Sequence, residues 1–435
     1  MSADTIVAPA TAPGRAAIGV LRISGPQAAA LCRALTGRPP PPPRHATLRR
    51  LVEPATGEGI DRGLIIWFPG PASYTGEDLL EIQHHGGLAV ASALLSACLA
   101  VPSVRPAAAG ELTRRAFLAG RLDLTQVEAV ADLVDATSRA QARQALRQLD
   151  GELGRRCGGW RERLLDALAM AEAEIDFGPD QDLPAGLTAS LAGAAVAVRD
   201  EMAATLCSAA AGERLREGLV VAVTGAPNVG KSTLVNRLAG RDVAIVTPLP
   251  GTTRDVIEVA IEIDGLPVTL LDTAGLRDTA DPIEAEGVAR ARRRAAQADL
   301  RLLLVPPGDP WPEADSATLV VRSQADRSDV AEVVGRPAIS ALTGRGIEPL
   351  LEAVAARLRP LAGEGTAAVT RGRHRQALDT AVAALDRFVA GQTALELALL
   401  AEELRLAVDA IGRVTGRVAA DDVLDRIFSR FCIGK

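Results

Sequence analysis

Gly225-Ala226-Pro227-Asn228-Val229-Gly230-Lys231-Ser232 lies between an apolar run ending at Thr224 and a helix-like stretch from Thr233 to Leu238. Strand, glycine loop and helix in that order are what a phosphate-binding loop requires. Glycines let the backbone N–H groups of Asn228, Val229 and Gly230 converge on phosphates, and the helix that follows presents its positive end. Lys231 reaches the outer phosphates, and Ser232 ligates Mg²⁺. The bland alternative is a glycine loop that merely turns, and the residues downstream weigh against it. Lysine usage singles out the same spot. Of the 48 Lys and Arg residues only Lys231 and Lys435 are lysine. Arginine is a planar fork and lysine a compact point charge, so the two are not interchangeable where a cavity fits only an ammonium.

Working outward, Asp255 to Ile263 and Leu266 to Leu271 alternate around Asp264-Gly265, which predicts a β-hairpin. The hairpin delivers Asp272-Thr273-Ala274-Gly275, where an aspartate near Mg²⁺ and a glycine N–H near the terminal phosphate are expected. Before it stands Gly251-Thr252-Thr253-Arg254, whose Thr253 can complete the Mg²⁺ shell. Beyond it, Val320 to Asp326 puts the Asp326 carboxylate after a strand, where it can accept two hydrogen bonds from the guanine amidine edge. Ser340-Ala341-Leu342 follows at the position of a last guanine-contacting loop. The series resembles the translation-factor-like GTPase domain. Two details depart from the usual pattern. Leu276 after Gly275 cannot orient a water, so a polar group from elsewhere must, with Arg277, Asp278, Asp281, Glu284 and Glu286 nearby. Ser323-Gln324 stands where GTPases usually carry Asn-Lys. Asp326 is expected to keep guanine selectivity while two supporting contacts are lost.

Composition bounds the rest. A chain of 435 residues with 48% hydrophobic and 23% charged residues predicts about three globular domains. Five cysteines, Cys32, Cys98, Cys157, Cys207 and Cys432, form no C-x-x-C pair, which excludes a disulfide framework and a zinc site and favours a reducing cytoplasm. Asp4 and Arg15 interrupt any signal-peptide core, and no run approaches the ~18 apolar residues of a membrane span. The net charge of -6 supplies no global basic field, so an RNA substrate would need local arginine patches or a partner.

Along the chain, the first hundred or so residues read as short strands and turns, with apolar runs at Ala17 to Ile23, Leu64 to Phe68 and Leu79 to Gln83, and a loop at Pro39 to Pro43. From Leu122, Val127, Val130, Leu133 and Val134 recur at helical spacing. Helix continues to about Glu217, interrupted near Gly178-Pro179 and Leu183-Pro184. An α/β pattern runs from Leu219 to about Leu358, with strands at Leu219 to Thr224, Leu300 to Val305 and Thr318 to Arg322. Helical periodicity returns through Ala377 to Phe428. A helical domain interrupted by a nucleotide-binding domain is the simplest architecture.

The flanks carry a resemblance. Asp4-Thr5-Ile6-Val7-Ala8, Leu21-Arg22-Ile23-Ser24-Gly25, Gly76-Glu77-Asp78-Leu79-Leu80-Glu81, His85-Gly86-Gly87, Arg114-Arg115-Ala116-Phe117-Leu118, Leu122-Asp123-Leu124-Thr125-Gln126 and the Cys432-Ile433-Gly434-Lys435 tail together resemble the tRNA modification GTPase family MnmE (TrmE), end to end. The resemblance implies a multidomain α/β and α protein. Its parts would be an α+β folate-binding and dimerisation domain at 1–120, a helical domain at 121–214 and 366–435, and an inserted Ras-like P-loop GTPase domain at 215–360. It also implies a homodimer, an FAD-dependent partner of MnmG type forming a heterotetramer, a tRNA substrate, no membrane, and a carboxymethylaminomethyl group added to the wobble uridine.

Residue by residue, the resemblance puts the contacts to a tetrahydrofolate derivative (5-formyl- or 5,10-methylene-) on Arg22, Glu81, Arg121 and Lys435. A pterin edge can donate two hydrogen bonds to a carboxylate such as Glu81, and folate carboxylates call for cations. The alternative for Arg22 and Glu81 is a cross-strand ion pair of small worth. The GTP contacts fall on Asn228, Val229, Gly230, Lys231, Ser232, Thr233, Thr247, Thr252, Thr253, Asp272, Thr273, Ala274, Gly275, Asp326, Ser340 and Ala341. Mg²⁺ falls to Ser232 and Thr253, K⁺ to Asn228, Thr247, Leu249 and Thr252, and the catalytic roles to Glu284 and Lys231. The 247–252 stretch is equally readable as a switch that closes on GTP. Cys432 is either a nucleophile or a small hydrophobe. His84-His85 is no metal site, because adjacent strand residues point to opposite faces. A ribosome-assembly or signalling GTPase would explain the nucleotide motifs alone, and a one-carbon transfer protein with a regulatory GTPase domain the two halves together.

Overall fold

The computed structural model describes residues 4–177, 187–240, 244–245, 258–272, 295–327, 337–363, 365–392, 396–418, 421–429, 431 and 434. The chain divides into two compact units, Met1–Ala131 with Thr415–Lys435, and Asp132–Val414.

The first unit is built on β1 (Thr5–Pro9), β2 (Ile18–Ser24), β3 (Thr47–Val52), β4 (Gly59–Phe68), β5 (Leu79–His85) and β6 (Val104–Pro106), in sheet order β3-β4-β5-β2-β1-β6. Antiparallel pairing of β2 with β5 sets Arg22 opposite Glu81. Alternation along these strands sends Leu21, Ile23, Leu80 and Ile82 into the core, where Leu31 and Leu35 of α1 (Ala28–Thr36) and Leu94 and Cys98 of α2 (Leu88–Leu99) meet them. A reading of strands and turns alone therefore misses the helical half of this unit. α2 is apolar almost throughout, so no polar face marks a 3.6-residue period. Helices α3 (Glu111–Leu118) and α4 (Leu124–Asp135) follow, and Leu124 and Val127 pack with Leu424, Phe428 and Phe431 from the C-terminal segment. A Cβ at Gly434 would fall on the Pro9 carbonyl, so Gly434 lies against the end of β1 and only glycine is tolerated there.

The second unit holds two cores. Helices α5 (Arg139–Leu149), α6 (Glu152–Phe177), α7 (Leu187–Leu206) and α8 (Ala209–Glu217) lead into a sheet. Its strands are β7 (Leu219–Gly225), β8 (Ala244–Ile245), β9 (Glu258–Ile263), β10 (Leu266–Asp272), β11 (Leu300–Val305) and β12 (Thr318–Arg322), with α9 (Lys231–Ala239) after β7. Beyond the sheet come α10 (Ile347–Ala362), α11 (Gly372–Gly391) and α12 (Leu397–Thr415). Trp160, Leu164, Val198, Met202, Leu385, Phe388, Leu404 and Ile411 fill the helical core. The sheet order is β12-β11-β7-β10-β9-β8. β7, β10, β11 and β12 pair in parallel and are buried on both faces, hence their near-continuous apolar runs. β9 and β10 form the hairpin that the sequence predicts, and Asp264 and Gly265 take φ of 50° and 80° at its turn. Two positive φ values in a row are the requirement of a type I′ turn, which explains Asp-Gly at this point.

Candidate functional site

Parallel strands deliver their C-terminal ends to one edge of the sheet, and ligands of open α/β folds bind there. β7 ends at Gly225, whose φ of 138° lets the chain turn under the Leu304 carbonyl of β11. Asn228 (φ 61°) and Gly230 (φ 99°) shape the loop, and α9 begins at Lys231. Lys231 is buried, and its Nζ donates to the Gly225 and Ala226 carbonyls, each at 2.9 Å. The ammonium therefore crosses its own loop. Ser232 and Thr233 are exposed beside it, and Asp272 is buried at the end of β10, in register with Val223.

At the far side of the same edge, the loop after β12 is stitched to the segment after Ala338. Ile339 N–H donates to Arg322 O at 2.8 Å and Ala325 N–H to Ile339 O at 2.9 Å. The Ser340 hydroxyl donates to Asp326, and this bond, with a backbone N–H and the nearby Arg327, holds the exposed Asp326 carboxyl below the usual carboxylate range. The exposed Asp326 carboxyl is thus held in its ionised form. Ala341 closes this loop. Thr247, Leu249, Thr252, Thr253, Thr273, Ala274, Gly275 and Glu284 lie outside the described residues.

The first unit carries a separate cavity of about 550 Å³. Arg22, Glu81 and Arg121 line it together with Arg44, Phe68 and Tyr74. Arg22 Nε donates to Glu81 Oε2 at 3.2 Å, so the two form the cross-strand ion pair and also face the cavity. Burial raises the Tyr74 phenol above its ordinary value, against a hydrogen bond with Thr113 at 2.9 Å. Lys435 and Cys432 lie outside the described residues. His84 is buried while His85 is exposed and pairs with Asp61 at 2.7 Å, so the two rings do part to opposite faces.

Comparison with known proteins bears on both sites. The family model described as GTP-binding protein TrmE N-terminus matches residues 5–121, and the MnmE helical domain matches residues 124–432. A tRNA modification GTPase MnmE of Methylobacterium sp. (strain 4-46) is 55% identical over 99% of this chain and 100% of its own length. One of the same name from Rhodospirillum rubrum is 51% identical with 100% of both chains covered. The chain belongs to the MnmE family of tRNA modification GTPases. Among solved structures, the G domain of the T. maritima FeoB iron transporter is 24% identical over 32% of this chain and 99% of its own, at a TM-score of 0.25. Aquifex aeolicus Era bound to GDP and AlF4⁻ is 24% identical over 38% and 66%, at a TM-score of 0.24.

Within this MnmE-family GTPase, Ser323-Gln324 behaves differently from the sequence expectation that both supporting contacts are lost. Ser323 is buried and turned to β11, with N–H and hydroxyl both directed at Val305 O, at 2.9 Å and 3.3 Å. Gln324 Nε2 instead donates to Asn228 O at 3.1 Å, so a tie between the base loop and the phosphate loop survives. Sequence reasoning also missed Arg237. From α9 it donates to Ala341 O at 3.2 Å and Leu342 O at 3.0 Å, a second tie across the same edge. A Cβ at the nearby Gly344, at φ 91°, would meet the Arg237 guanidinium, and nothing in the local sequence signals the contact. Among the described residues no group of three His, Cys, Asp or Glu side chains is arranged to hold a metal ion, and no helix is long and apolar enough to cross a membrane.

Proposed function

We propose that this chain uses GTP hydrolysis to drive a tRNA modification in which, with an MnmG-type FAD-dependent partner, a carboxymethylaminomethyl group is added to C5 of the wobble uridine. In this reading it works in the cytoplasm as a homodimer within a heterotetramer. The observation that carries the reading is the convergence of Arg22, Glu81 and Arg121 on one cavity, in a chain whose other half is a GTPase. A carboxylate set between arginines suits a ligand with a donating heterocyclic edge and anionic tail, and Phe68, Leu79 and Val130 supply flat and apolar walls. A tetrahydrofolate derivative has that chemistry and, when bound, supplies the one-carbon unit. Glu81 would hold the pterin edge, Arg22 and Arg121 the carboxylates, and Lys435 would join them from the tail.

The domain partition 1–120, 121–214, 215–360 and 366–435 belongs to the same reading. At the GTP edge, hard oxygen donors would fit a small divalent cation: the exposed Ser232 hydroxyl opens α9, and the buried Asp272 ends β10, the strand paired with β7. Mg²⁺ would be held by Ser232 and Thr253. K⁺ would take oxygens from Asn228, Thr247, Leu249 and Thr252, and Glu284 would orient the attacking water while Lys231 neutralises phosphate charge. Nucleoside analysis of tRNA from a strain lacking this chain tests the reading. Loss of the modified wobble uridine, restored by the wild-type chain and not by Arg22→Ala with Glu81→Gln, is the expected result. Normal wobble uridines in the deletion strain would sink it.

A further inference from the structure

We infer that Gln324 is the positioning residue that couples guanine recognition to phosphate binding in this GTPase, replacing the Asn-Lys pair that its base loop lacks. Three observations carry it. The Gln324 amide spans two partners, donating from Nε2 to Asn228 O at 3.1 Å and accepting at Oε1 from Arg327 at 3.1 Å. Arg327 thereby fixes which end of the amide faces the phosphate loop. Both joined residues are held in a left-handed backbone, Gln324 at φ 53° and Asn228 at φ 61°, which non-glycine residues seldom adopt. Ser323 cannot do this work, because its short side chain is buried against Val305.

The tie joins the loop that carries Asp326 to the loop that carries Lys231, so its energy is felt by a ligand that spans both. Binding of GDP and GTP should weaken when it is cut, while the chemical step, which engages the phosphates alone, should not. That is the pattern of lost uniform binding: KM rises and kcat holds.

The full-length chain and its Gln324→Ala, Gln324→Glu and Gln324→Lys variants should be compared by fluorescent GDP titration and steady-state GTP hydrolysis, after melting curves establish that each folds as wild type does. One net hydrogen bond predicts about a 2- to 10-fold rise in Kd and KM for Gln324→Ala with kcat unchanged. Gln324→Glu, which sets a carboxylate against a carbonyl, should lose more. Gln324→Lys, which restores a donor, should return to within about twofold of wild type. Equal Kd and KM across the series, with wild-type GTP turnover intact, overturns the inference. A fall in kcat without a rise in KM also overturns it, by assigning Gln324 to the chemistry. Failure of the wild type to bind GDP would instead strike at the GTPase assignment.

Discussion

Asp326 shows how much one side chain decides. Its carboxylate takes a hydrogen bond from Ser340, whose own Oγ accepts from Thr343 N–H at 3.2 Å, so the acceptor edge is oriented before any base arrives. A charged acceptor facing an amidine edge forms hydrogen bonds about twice as strong as neutral ones. Asp326→Asn should therefore abolish the preference for GTP and admit xanthine nucleotides, whose C2 oxygen accepts from the new amide. Competition titrations with GDP and XDP check it, and an unchanged GDP preference would refute it. In the proposed function Glu284 orients the attacking water. With Leu276 unable to orient one, Glu284→Ala should keep nucleotide affinity and slow hydrolysis by roughly 10²- to 10⁴-fold. Unaltered turnover would hand the role to Glu286 or to backbone.

At the scale of elements, α5 is the piece whose sequence predicts least and whose structure explains most. Ser138 and Gln141 form a capping box at its start. Gln141, Gln144 and Gln148 then recur at i, i+3 and i+7 on one face. Gln141 Nε2 donates to Arg216 O at 3.0 Å, Gln144 Nε2 to Gly212 O at 3.1 Å, and Gln148 Nε2 to Ala368 O. Arg147 adds the carbonyls of Gly365 and Thr366 at 2.8 Å and 3.0 Å. One helix face thus fastens both crossings between the helical core and the sheet, α8 on the way in and residues 365–370 on the way out. Gly212 has no side chain because a Cβ would strike the Val369 carbonyl. Gln144→Leu and Gln148→Leu each remove one buried hydrogen bond, at a cost of about 0.5–1.5 kcal/mol. Faster amide exchange in 209–217 and 365–370 should follow, and unaltered exchange in both segments would show that the fastening carries no weight. The sheet strands and the Asp264-Gly265 hairpin were legible in sequence because burial on both faces and a type I′ turn each leave a local pattern. The glutamine face, the Gln324 tie and α2 were not. The first two depend on carbonyls remote in the chain, and the third lacks a polar face.

Among the described residues, arginine makes many of the side-chain ties to distant carbonyls and carboxylates. Arg322 spans the carbonyls of Pro306 and Asp309 while lying 4.3 Å from the Trp311 ring centroid, Arg357 spans those of Ser316 and Thr318, and Arg373 those of Arg413 and Val414. Arg322 adds stacking on the indole to its two carbonyl contacts, which a planar guanidinium does and an ammonium on a flexible stem does less well. Arg115 is buried as well. It donates to Glu77 at 2.9 Å, to Asp4 at 2.9 Å and to Glu111 at 3.1 Å, and so joins the start of β1, the turn before β5 and α3. Motif reading marked Asp4, Glu77 and Arg115 as characteristic. It could not tell that they hold one another, since their partners are 38 and 111 positions away. Burial alone would push the Glu111 carboxyl up, but hydrogen bonds from Arg105, Ala108 N–H and Arg115 outweigh it and hold the group below the ordinary value. A depressed carboxylate contributes stability that is fully present above its unfolded pKa, about 4.3, and is lost as pH falls through the lower folded value. Arg115→Met at neutral pH leaves three partly buried carboxylates with fewer partners, and about 1–3 kcal/mol of destabilisation is expected. Protonation relieves that uncompensated charge, so the gap in melting temperature between wild type and Arg115→Met should narrow as pH is lowered from 7 to about 4. A gap of constant size across that range would mean that Arg115 acts through packing of its stem, and the ion network would lose its claim to hold this unit together.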